Sequence, residues 1–193
     1  MYQLNDIRDR LEETGLNRNF DVAGLACLEF AAHHQSVSSE EFMKYAGFWD
    51  ADHYKYCIKK LSSEPLSWLT CNSNNLFKDY TISKAGIDAY HYISEGHKSN
   101  LFRQLNTLLQ QQFGAGIQHL TPLIWIVRFA KSGTLTVNEA SDIDGMTNSG
   151  AYKLIHKLIE SNCIQEVPNS STGMKEFCLT EKSVHILDQL SCI

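Results

Sequence analysis

The side chains best placed to do chemistry are six cysteines, eight histidines and two lysine-bearing segments. The cysteines stand at 27, 57, 71, 163, 178 and 192, with no C-x-x-C pair and no histidine spaced to complete a zinc site. Most lie between apolar neighbours, so they read as small core residues of a reduced compartment, with one reactive thiol left open. His33-His34 reads as a cation at a helix end, complementing the dipole, rather than as a metal ligand or catalyst. No nucleophile elbow, P-loop, dinucleotide fingerprint or paired-carboxylate motif occurs, so the expectation is a protein that is not an enzyme and holds no cofactor or metal. What remains is donation: Lys55, Tyr56, Lys59 and Lys60 in one segment, and Asn148, Ser149, Gly150, Tyr152, Lys153, His156 and Lys157 in the other, can offer protons to phosphate or base acceptors.

The chain that must position them has 193 residues, 43% hydrophobic, with only 3 Pro and 11 Gly, which excludes disorder and collagen-like repeats and leaves room for one large or two small cores. The net charge of −5 works against nucleic acid, since phosphate neutralisation by a basic surplus supplies most non-specific affinity. Met1 leads into a polar stretch rather than a secretory signal, and the apolar run Leu123 to Val127 is too short to span a bilayer. These features imply a soluble cytoplasmic protein.

Two halves of the sequence overlay on each other. At an offset of 98, Leu25 falls on Leu123, Val37 on Leu135, Ser38 on Thr136, Glu41 on Glu139 and Gly47 on Gly145. At an offset of 97, Ile58 falls on Ile155, Lys60 on Lys157, Leu61 on Leu158, Asn72 on Asn169, Ser73 on Ser170, Lys78 on Lys175, Tyr80 on Phe177, Ile82 on Leu179 and Ser83 on Thr180.

Each half predicts the same elements. A helix over Val22 to Ala32, or Pro122 to Lys131 with Thr121 as its N-cap, leads to a short extended piece at Val37 or Leu135. The runs Ser38-Ser39-Glu40-Glu41 and Thr136-Val137-Asn138-Glu139 are capping boxes that start a second helix, which Gly47 or Gly145 ends. A third helix, capped by Asp50 or Asn148, carries the apolar stripe Tyr54, Cys57, Ile58, Leu61 or its counterpart Ala151, Leu154, Ile155, Leu158. Strands over Leu66 to Cys71 and Cys163 to Val167 turn through Asn72-Ser73-Asn74-Asn75 and Asn169-Ser170-Ser171-Thr172-Gly173. They return over Phe77 to Ile82 and Met174 to Leu179, after which Ser83 or Thr180 caps a closing helix. Trp49, Trp68 and Trp125 read as core or turn-packing residues, although an aromatic pocket could also take a small effector.

Helix, short strand, helix, turn, helix and hairpin is the order of the winged helix-turn-helix domain, which both halves resemble. The second half resembles the MarR-type transcriptional regulators through Leu135-Thr136-Val137-Asn138-Glu139-Ala140, Asn148-Ser149-Gly150 through Leu158-Ile159-Glu160, and Phe177-Cys178-Leu179-Thr180-Glu181-Lys182. The expected fold is mainly α with small β-hairpins (α+β). Its parts are an N-terminal helix (1–19), a first winged unit (20–97), a connecting amphipathic helix (98–117) and a second winged unit (118–193). The connecting stripe Leu101, Phe102, Leu105, Leu108, Leu109 and Phe113 suits either packing on its own domains or a homodimer, as flanking helices form in MarR-like proteins.

In that fold the third helix would enter a major groove. The face opposite the apolar stripe holds Ser149, Lys153 and His156 in the second unit, flanked by Gly150, Tyr152 and Lys157. In the first it holds Asp52, Tyr56 and Lys59, edged by His53, Lys55 and Lys60. Asp52 repels phosphate unless it accepts from a cytosine amine, and residues 1–97 carry 9 Lys+Arg against 14 Asp+Glu while 98–193 carry 8 of each, so the second unit is the expected reader of double-stranded DNA. The hairpin tips are Asn/Ser-rich, and Lys78 and Lys175 stand only on the return strands. The alternatives are an acidic tandem winged-helix module that binds a protein partner, or a plasmid or phage replication initiator, which would normally be more basic.

Overall fold

The computed structural model describes residues 4–48, 50–72, 78–95, 97, 99–114, 117–144, 146–168 and 174–193. Trp49, the proposed stop at Gly145, the start of the first return strand at Phe77 and the hairpin tips at 73–75 and 169–173 lie outside the described residues. The chain divides into two compact units, Gln3–His119 and Leu120–Cys192.

The first unit contains α1 (Leu4–Glu13), α2 (Val22–Ala32), β1 (Val37–Ser38), α3 (Ser39–Ala46), α4 (Ala51–Ser62), β2 (Leu69–Asn72), β3 (Asp79–Ile82), α5 (Lys84–Ile93) and α6 (Leu101–Phe113). The second contains α7 (Thr121–Ser132), β4 (Thr134–Thr136), α8 (Val137–Asp144), α9 (Asn148–Glu160), β5 (Ile164–Glu166), β6 (Glu176–Leu179) and α10 (Glu181–Cys192). The fold is α+β: helices dominate, and each unit has one small antiparallel sheet, ordered β1-β3-β2 and β4-β6-β5.

The repeat reaches the level of strand register. Val37 faces Tyr80 in the first sheet, and Leu135 faces Phe177 in the second, so both members of one pair map onto both members of the other. The outer strand departs from the sequence overlay. Cys71 faces Tyr80 and Glu166 faces Phe177, which makes Glu166 the counterpart of Cys71 and shifts β5 two positions from an offset of 97. Polar turn residues aligned Asn72 with Asn169, but the ladder pairing decides the register.

Local signals explain most element starts. Ser38 and Glu41 form a reciprocal capping box, as do Thr136 and Glu139, and Gly47 ends α3 in the left-handed conformation at φ 64°. Ser83 caps α5 by accepting the Gly86 amide. Three caps differ from expectation. Thr147, not Asn148, accepts the Gly150 amide and caps α9, so Asn148 is that helix's first residue. Helix α7 already includes Thr121, and its cap position is Leu120, which makes no side-chain bond. Thr180 turns its hydroxyl back to the carbonyls of Asn162 and Cys163, tying the strand end to the α9–β5 turn instead of capping α10.

The core of the first unit is α2, buried on nearly every side, and α6 is its most extensive helical partner. Leu101, Phe102, Leu105, Leu108 and Leu109 are buried there, and Asn106 donates to the Ala46 carbonyl at the end of α3. The stripe is therefore core of its own unit rather than an exposed face for a second copy, and α6 is not a free connector between units. A buried carboxylate fixes it. Glu29 of α2, 0% exposed, accepts the Phe102 and Arg103 amides at 3.2 and 3.1 Å, capping a helix whose Asn100 makes no side-chain cap. Tyr45 adds its hydroxyl at 3.3 Å. Burial pushes the Glu29 carboxyl up to about 7, the hydrogen bonds offsetting only part of that cost.

Candidate nucleic-acid interface

Helix α9 forms because Ala151, Leu154, Ile155 and Leu158 recur at helical spacing, and all four are buried. Their burial turns the remaining positions to solvent. Asn148, Ser149, Tyr152, Lys153, His156 and Lys157 are exposed and Gly150 is half-buried, so the structure brings the expected set onto one helix surface. Lys175 lies apart, before β6, and is paired with Glu166 at 3.0 Å, which leaves it less charge to offer an anion.

Helix α4 repeats the arrangement. Tyr54, Cys57, Ile58 and Leu61 are buried, while Lys55, Tyr56, Lys59 and Lys60 are exposed. Asp52 is bound to Lys55 at 3.0 Å, so its charge is partly compensated within the helix. Beside α4 runs a groove of about 620 Å³, bounded by the hairpin and lined by Lys55, Lys59, Lys78, Tyr54, Tyr80 and Cys71. Lys78 thus joins two α4 lysines on one concave surface; the sequence showed it only as a cation on a strand.

No known protein family, characterised protein or solved structure matches this chain.

The unit boundary also alters the charge comparison. Because α6 belongs to the first unit, Lys98 and Arg103 count with it, giving 11 Lys+Arg against 14 Asp+Glu up to His119, and 6 against 8 from Leu120 onward. The units carry −3 and −2, so bulk charge does not separate them.

Spacing alone passed over one cluster. His53, expected at the edge of the outward face, turns inward with a side chain 10% exposed and meets Asp21, the N-cap of α2, beside Cys57. A readable signal existed in the four-residue step from His53 to Cys57, which places both on one helix face, but Asp21 lies 32 positions away from His53 and only folding brings it in. Of the six thiols, Cys27, Cys57 and Cys163 are core residues as expected, whereas Cys71 and Cys192 are exposed and Cys178 is intermediate. Trp68 and Trp125 are buried, and no helix among the described residues is long and apolar enough to cross a membrane.

Proposed function

We propose that the protein is a cytoplasmic DNA-binding transcriptional regulator made of two winged helix-turn-helix units, resembling the MarR type, with α4 and α9 as its reading helices. The observation that carries this reading is the solvent-facing row Ser149, Tyr152, Lys153, His156 and Lys157 on α9, set opposite a buried stripe and supported by a three-stranded sheet. Helix α9 remains the leading reader because Ser149 and Gly150 allow close backbone approach where α4 has Asp52. Among the described residues Lys59, Lys60 and Lys153 form no ion pair, so phosphate contact breaks no internal bond at those positions.

The test is a mobility-shift titration on genomic fragments at low and moderate salt. Lys153→Ala should weaken binding to all fragments alike and lower the slope of log affinity against log salt by about 1. Absence of any shift by the wild-type protein at low salt refutes the proposal. A second reading, a protein-interaction module, is favoured by Tyr152 and Ile159, 50% and 38% exposed and seven residues apart on one side of α9. It predicts that Tyr152→Ala abolishes partner capture while Lys153→Ala does not.

A further inference from the structure

Inside the first unit, three side chains with metal-binding atoms converge. One carboxylate oxygen of Asp21 accepts the Ala23 amide at 2.8 Å, and the other meets His53 Nε2 at 2.5 Å. Cys57 stands one helical turn beyond His53 on α4, and the oxygen, nitrogen and sulfur of the trio all lie within 4.8 Å of one another. The group is withdrawn from water, with Asp21 7% and Cys57 0% exposed. The second ring nitrogen of His53 is buried with no hydrogen-bond partner.

We propose that Asp21, His53 and Cys57 form a binding site for a divalent transition-metal ion, with zinc the best fit. The donor set decides the metal class. Calcium and magnesium require oxygen cages, whereas zinc takes carboxylate, imidazole and thiolate together in a four-coordinate shell whose last position a water can fill. Charge supports the same choice: a dication with one carboxylate and one thiolate is neutral overall, which removes the penalty of burying either anion alone. Binding transfers the Cys57 S–H proton to solvent. The proton that His53 Nε2 holds toward Asp21 must also leave that nitrogen, to solvent from an imidazolium or to Nδ1 in the neutral ring, so that Nε2 coordinates as the neutral base. Zinc–nitrogen and zinc–oxygen bonds of about 2.0–2.1 Å set tetrahedral ligands about 3.3 Å apart, so the Asp21–His53 contact opens by less than about 1 Å. A nucleophilic role for the same trio is disfavoured, because the sulfur is sealed from solvent and burial raises its thiol well above the ordinary value, which suppresses the reactive thiolate. The site does not depend on the DNA reading.

The experiment uses the full chain stripped with chelator and titrated with cobalt chloride, then with zinc chloride in competition. The expected result is a thiolate-to-cobalt charge-transfer band that saturates at one equivalent, disappears on adding zinc, and is accompanied by proton release and a raised melting temperature. Cys57→Ser should abolish the band and weaken zinc binding at least about tenfold. The combined replacement of Cys71, Cys178 and Cys192 by Ser should leave both unchanged. Should Cys57→Ser fail to fold, Asp21→Asn decides, since Asn keeps the α2 cap but is a poorer ligand, and it should weaken zinc binding by a similar factor. The proposal is overturned if the folded wild-type protein shows no saturable band, which would leave Asp21 and His53 as a hydrogen bond only. It is overturned equally if the band persists in Cys57→Ser and vanishes with the three outer cysteines.

Discussion

Replacing Glu29 with Gln is the sharpest test of how the first unit is held together. The carboxyl is fully buried, and its proton affinity rises from the ordinary 4.5 to about 7 because burial penalises the charged form more than the Phe102 and Arg103 amides and the Tyr45 hydroxyl favour it. A raised acid binds its proton in the folded state over a range where the unfolded chain has released it. Its contribution is therefore fully present below about pH 4.5, declines as pH rises, and is gone above about pH 7. At 1.36 kcal/mol per tenfold change in proton affinity, the decline amounts to about 3 kcal/mol. Phe102 and Arg103 donate to different carboxylate oxygens, so Gln keeps an acceptor for only one of them and carries a constant penalty. It cannot ionise, however, and its stability relative to wild type should therefore rise by about 3 kcal/mol between pH 5 and pH 8. Denaturant unfolding at half-unit pH steps, followed by circular dichroism, measures the difference. The Phe102 and Arg103 amide resonances report it locally and should titrate near pH 7 in the wild type only. A difference that stays constant with pH, or resonances with a midpoint near 4.5, would refute the account of this carboxylate.

Other expectations follow from single contacts. Gly86→Ala places a methyl 2.7 Å from the Trp68 carbonyl, a backbone atom that cannot swing away, and should cost about 1–3 kcal/mol in thermal unfolding, whereas Gly150→Ala meets the flexible Met146 side chain at 3.3 Å and the Thr147 hydroxyl at 3.4 Å, both of which can give slightly, and should change stability by less than about 0.5 kcal/mol. Ser38→Ala and Thr136→Ala each remove one capping box and should each cost about 1 kcal/mol, measured by denaturant unfolding. Glu41 and Glu139 are held below the usual carboxylate range by the amides of Ser38 and Thr136, so the boxes contribute at neutral pH and fade in acid, opposite in sign to Glu29. With a chromogenic disulfide reagent, Cys71 and Cys192 should react at once in the native protein, and Cys27, Cys57 and Cys163 only after denaturation.

Much of this was legible in the sequence because it is decided locally. The capping boxes, the Gly47 stop and the stripes of α4 and α9 depend on residues at most seven positions apart, and side chains at those positions appear in the structure as their types dictate. What escaped is decided over distance. Nothing near Leu101 indicates that its stripe closes the core around α2, because the informative partner is Glu29, 73 positions before Phe102. The β5 register was misread because repeated Asn and Ser residues align turns without fixing which backbone groups pair. His53 sat on the boundary between the inward and outward faces of α4, and its direction is set by Asp21. The difference in charge between halves came from a boundary drawn ahead of α6, a helix whose membership only its packing reveals.

The lodging of α6 against α2 has a consequence for how the molecule is made. A ribosome delivers α2 through α5 before any of α6 exists, so during that interval the face of α2 that Phe102 and Leu105 will cover stands bare and Glu29 has no amides to meet. The nascent first unit should stay open, vulnerable to proteases and attractive to chaperones, until Leu109 has cleared the exit tunnel, and premature termination within α6 should yield a product that aggregates rather than a smaller folded domain.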